Sequence, residues 1–119
     1  VMTVKEFYDR IGGDYNDAIQ RFQSDAVILG FLKMFLNDGN IKLLSQSIEK
    51  GDVKNAFRAV HTLKGIALNL SFSEFADTCS AMTEHLRGLS ALPDDTGRFC
   101  DDINSVYLKI TTAIREFEI

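Results

Sequence analysis

Apolar residues recur every three or four positions along almost the whole chain, and no segment keeps up a period-two alternation, so the pattern predicts helices and no strands. Thr3–Ile11 places Val4, Phe7, Tyr8 and Ile11 on one side and stops at Gly12-Gly13. Asp14 can cap a second short helix running to about Phe22. Ser24 or Asp25 then caps a strongly apolar helix containing Val27, Ile28, Phe31, Leu32, Phe35 and Leu36, ended by the turn chemistry of Asn37-Asp38-Gly39. Ile41, Leu44 and Ile48 mark the next helix, closed by Gly51, and Asp52 is placed to cap the one after it.

The clearest seam runs from Val53 to about Leu70, where Val53, Ala56, Val60, Leu63, Ala67 and Leu70 are spaced as a face packed against other helices. Ser71 and Ser73 offer a break and a new cap. Phe75, Cys79, Met82, Leu86 and Leu89 repeat the same spacing, and Leu92–Gly97 reads as a loop. A last helix, from about Arg98 to the C-terminus, would bury Phe99, Ile103, Val106, Ile110, Ala113, Ile114 and Phe117. The expected fold is all-α: an antiparallel four-helix bundle, up-down-up-down, with short additional N-terminal helices across one end. Residues 1–119 are expected to form a single domain.

Composition narrows the functions. A net charge of −4 gives nucleic acid no electrostatic footprint, and no apolar run reaches the length needed to span a bilayer. The N-terminus lacks a basic region followed by an apolar stretch, so no secretory signal is expected. Cys79 and Cys100 are too few and too far apart for a zinc site, and read as thiols in a reducing cytoplasm.

The candidate chemistry centres on His61. At about 100° per residue it points roughly 130° away from the middle of the seam, outside the core. Its helical neighbours are Phe57, Arg58, Lys64, Gly65 and Leu68. A mid-helix glycine costs roughly 0.5–1 kcal/mol relative to alanine, and Phe57 and Leu68 are large apolar residues where water is expected. All three make sense around a nucleophile facing a partner. Imidazole is mostly neutral near pH 7 and keeps a free ring nitrogen for attack. Lys64, one turn away, can meet a phosphoryl group on that nitrogen, and Gly65 removes the Cβ that would crowd it. Phe57 and Leu68 supply an apolar docking surface. By residue chemistry alone the plainer readings stay open: an ordinary surface histidine, a glycine that admits a neighbouring helix, and two apolar residues that widen the buried face.

The stretch Ala59-Val60-His61-Thr62-Leu63-Lys64-Gly65-Ile66-Ala67, continuing Leu68-Asn69-Leu70, closely resembles the core motif of the histidine-containing phosphotransfer family, His-x-Leu-Lys-Gly followed by small and aliphatic positions. The resemblance extends upstream to Leu36-Asn37-Asp38 and Gly51-Asp52, and downstream to Glu84 and Arg87, so it spans about Phe31 to Arg87. It implies a four-helix bundle whose exposed histidine takes a phosphoryl group from a phospho-aspartate, or passes it to one. His61 would be phosphorylated, Lys64 would be the phosphate partner and Gly65 the clearance residue. Arg87 matches a basic position of some members and either faces the site or only solvates Glu84; with Phe57, Arg58 and Leu68 from the helix face of His61 it makes up the expected partner-binding set. Two positions depart from the family: Ser71 stands where a glycine is usual, and Thr83 where many members carry a Gln or Glu that orients the imidazole.

The expected partners are response-regulator receiver domains, a hybrid histidine kinase, or both, met by a cytoplasmic monomer. No glycine-rich nucleotide loop is present, so the chain is expected to be a phosphocarrier rather than an enzyme, without a cofactor or metal of its own; magnesium would come from the receiver. A chemotaxis-type kinase's phosphoacceptor domain is the alternative, against which stand Thr83 and a last helix ending at Ile119 without a linker. A non-catalytic helical adaptor is the third reading. His61 and His85 lack the spacing of a metal pair, and His85 reads as a boundary residue on the Met82/Leu86 face.

Overall fold

The computed structural model describes residues 1–118, which form seven α-helices and a closing 3-10 turn at Glu116–Glu118, with no strand among them. The expected helix end at Ile119 lies outside the described residues. The helices are α1 (Val4–Ile11), α2 (Tyr15–Phe22), α3 (Asp25–Phe35), α4 (Asn40–Glu49), α5 (Val53–Asn69), α6 (Ser73–Leu86) and α7 (Thr96–Arg115).

Their starts follow from capping. The side chains of Thr3, Asp14, Ser24 and Asp52 each accept a hydrogen bond from the backbone N–H three residues on, satisfying donors that the first turn leaves free. Ser24, not Asp25, is therefore the cap of α3. Thr3 and Glu6 complete a reciprocal capping box.

Helices α4, α5, α6 and α7 form the antiparallel bundle. Each packs on the next, and α5 is held between α4 and α6. The three-residue links at 50–52 and 70–72 leave the chain no room except to reverse. The seam of α5 is buried as expected: Val53, Ala56, Val60, Leu63, Ala67 and Leu70 all face the core. Helices α1, α2 and α3 close the end of the bundle where α5 finishes. There Phe72 meets Phe7, Tyr8 and Phe35 at ring-centroid distances of 5.3–6.0 Å, and the Tyr8 hydroxyl donates to the Leu70 carbonyl at 2.8 Å.

Several boundaries differ from the sequence expectation. Neither Ser71 nor Ser73 caps α6: Phe72 occupies the cap position, with no side-chain cap bond, because its ring is drawn into the aromatic cluster. Ser71 instead takes a left-handed conformation, φ 60°, that the tight reversal demands. Leu89 lies past the end of α6 and is 42% exposed, because the chain leaves the helix at Arg87 and turns through Gly88 at φ 71°. Helix α7 begins at Thr96, two residues early, so part of the expected loop is helical. Val27 is 45% exposed, since α3 buries only the Ile28, Leu32 and Phe35 side.

Candidate functional site

His61 stands at the middle of α5, exposed, on the side away from the buried seam. Its ring runs parallel to the ring of Phe57, one turn earlier, with centroids 5.9 Å apart and planes 4° from parallel. No described residue makes a hydrogen bond to the imidazole. Thr83 in particular is fully buried, and its hydroxyl donates to the Cys79 carbonyl at 2.7 Å, so it is turned onto its own helix and not toward His61.

Gly65 adjoins His61 on the same face. A methyl built there would meet nothing within 4 Å. No neighbouring helix requires a glycine at this position, which removes the packing explanation left open by the sequence. Lys64 is half-buried and forms no ion pair with a described residue. Its field reaches Glu84 of α6 and adds a minor downward pull on that carboxylate, whose pKa is held below the ordinary range mainly by hydrogen bonds from Arg87 and by the Arg87 charge.

Arg87 does two things. Its guanidinium donates to both Glu84 carboxylate oxygens at 3.0–3.3 Å and lies 5.3 Å from the centre of the Phe57 ring. It therefore faces the site as well as solvating Glu84. Phe57 and Arg58 line an open groove with Val53, Lys54, Leu86, Gly88, Leu89 and Ser90. Leu68 is 55% exposed but seven residues further along α5, about 10 Å from His61 along the axis. So Phe57, Arg58 and Arg87 gather on one side of His61, and Leu68 stands on the other.

Leu89, which the sequence does not place near His61, lines the same groove as Phe57 because the chain turns at Gly88. Nothing in the spacing announced this; helical periodicity assigned Leu89 to the core. His85 is removed from the face of His61. Its side chain is 13% exposed, stacked on Phe99 at 4.1 Å and within 3.2 Å of the Thr96 hydroxyl. The two histidines thus occupy opposite environments, one open and one enclosed.

The family model described as Hpt domain matches residues 31–116. The chain belongs to the Hpt family. No significant match to a curated protein or to a solved structure was found. Hpt domains are phosphotransfer modules rather than catalysts, and the chain takes part in phosphorelay signalling, the two-component context of response regulators and kinases. Of the helices, α1 and α2 precede the Hpt match and α3 enters it near its middle. Among the described residues no helix is long and apolar enough to cross a membrane.

Proposed function

We propose that His61 is the phosphoryl carrier, accepting the group from an aspartyl phosphate of a response-regulator receiver and passing it to the aspartate of another. A ring nitrogen attacks phosphorus, the phosphorus–oxygen bond to the aspartate breaks, and the carboxylate leaves; the return step reverses this. The observation that carries the reading is the open space at Gly65 beside an exposed, unbonded imidazole. The phosphoryl group brings about two negative charges, and the unpaired Lys64 ammonium is one helical turn away to meet them. At about 4 Å such a pair contributes roughly 1 kcal/mol in water and several-fold more once a partner excludes solvent. The groove of Phe57, Arg58, Leu86 and Leu89, with Arg87 at its edge, offers the partner an apolar floor and a cationic rim.

The domain contributes the nucleophile and its surroundings. Magnesium and most of the charge neutralisation in the transition state belong to the receiver in this reading. Incubating the protein with a panel of radiolabelled phospho-receivers from the same genome tests it. Transfer of acid-labile label to His61 by at least one receiver is expected; a panel that transfers none refutes the carrier role.

A further inference from the structure

We infer that Phe57 is a positioning residue for His61, restraining the imidazole through a parallel, offset ring pair where no hydrogen bond from a described residue does so; the inference rests on the carrier role proposed for His61. Helical side chains lean toward the N-terminus, onto the residue one turn earlier. For His61 that residue is Phe57, and the rings meet 4° from parallel. An unrestrained imidazole on an exposed helix face has about two staggered settings of χ1 and a broad, roughly two-fold χ2. The stack selects one of these.

The contact is suited to a nucleophile. A ring nitrogen attacks with a lone pair that lies in the ring plane, so a parallel neighbour offset on one side leaves both nitrogens free at the edge. An orienting hydrogen bond would occupy one of them. Phe57 is itself held: it is half-buried against the core, and the Arg87 guanidinium lies over its ring while gripping Glu84. Orientation is therefore passed from α6 to His61 on α5 through Glu84, Arg87 and Phe57.

Phosphoramidate is a probe that needs no protein partner, which separates positioning from docking. The imidazole lone pair forms the new nitrogen–phosphorus bond as the donor's phosphorus–nitrogen bond breaks. Ammonia leaves and takes up the proton released by the other ring nitrogen. Three proteins are compared, the wild type, F57L and F57Y, with helicity checked by circular dichroism. In the wild type, proton NMR should show through-space contacts between the two rings and His61 ring protons shifted by the facing aromatic ring. F57L keeps an apolar side chain of similar bulk but has no flat face. It should lose the ring shift and phosphorylate about two- to fourfold more slowly, the factor set by the freed rotamers. F57Y should keep both properties. Wild-type speed in F57L, an F57Y as slow as F57L, or absent ring contacts in the wild type would overturn the inference while leaving His61 a carrier. A wild type that accepts phosphate neither from phosphoramidate nor from any receiver overturns the carrier role, and the inference with it.

Discussion

The Ser71 hydroxyl donates to the Asp17 carboxylate at 2.7 Å, and Arg21 in turn donates to the Ser71 oxygen and to the Asn69 carbonyl, both at 2.9 Å. This joins α2 to the reversal between α5 and α6. It also explains why a serine occupies a left-handed position, φ 60°, at a cost of about 1–2 kcal/mol. S71A keeps that strain and loses the bonds, so it should lower stability by about 1–3 kcal/mol. S71G loses the same bonds but relieves the strain, and should be more stable than S71A by about 1 kcal/mol. Urea denaturation of the two variants measures the gap; equal midpoints would mean that the left-handed turn stores no strain.

Acid should weaken the same junction. The Asp17 carboxyl is held below its ordinary 3.8, first by the Ser71 hydroxyl and then by Arg21. A carboxyl depressed in the folded state contributes its full stability above its unfolded pKa and loses it as pH falls through the folded one. The urea midpoint of wild type should exceed that of D17N at pH 6, with the difference shrinking as pH drops below about 4.

His61→Gln should end phosphoryl acceptance and leave the far-ultraviolet circular dichroism unchanged, because the residue is exposed and outside the seam. Residual acid-labile phosphate in this variant would move the site to His85, the other histidine of the chain.

Diethyl pyrocarbonate should modify His61 well before His85. One ring is open on an exposed helix face; the other is pinned between Phe99 and Thr96. Mass spectrometry of partly modified protein gives the order, and prior reaction at His85 would contradict the enclosure.

Gly65→Ala should give a more stable but slower protein. Since a methyl there meets nothing, the substitution gains up to roughly 1 kcal/mol of helix propensity. The same methyl stands in the space proposed for the phosphoryl group and the approaching receiver, so transfer should slow. A destabilised variant with undiminished transfer per folded molecule would refute the clearance role.

Much of this was legible in the residues. The caps at Asp14, Ser24 and Asp52 are short polar side chains just before an apolar period, and their bonds are local, so sequence reports them directly, whereas Thr3 reads as part of the first helical stretch and proves to be its cap. The α5 seam and the outward direction of His61 follow from helical geometry alone. The failures share a cause. Phe72 at the start of α6 and Leu89 beyond its end depend on where the chain reverses, and the side of Arg87, which the residues leave open, depends on how two helices register; distant packing decides all three. Periodicity sees a face but not the place where the helix stops.

The aromatic cluster at Phe72 has a bearing on what counts as one foldable unit. The family match begins at Phe31, yet Phe7, Tyr8 and Ile11 are each wholly excluded from solvent, and all three precede it. Phe7 and Tyr8 reach directly to Phe72 and, through the Tyr8 hydroxyl, to the turn at the end of the site helix. A fragment trimmed to the family boundary would keep His61 and every neighbour proposed to serve it, and would bare Phe72 to water. The border drawn by likeness among relatives and the border drawn by cohesion of this molecule therefore fall at different residues, and the N-terminal thirty belong to the second.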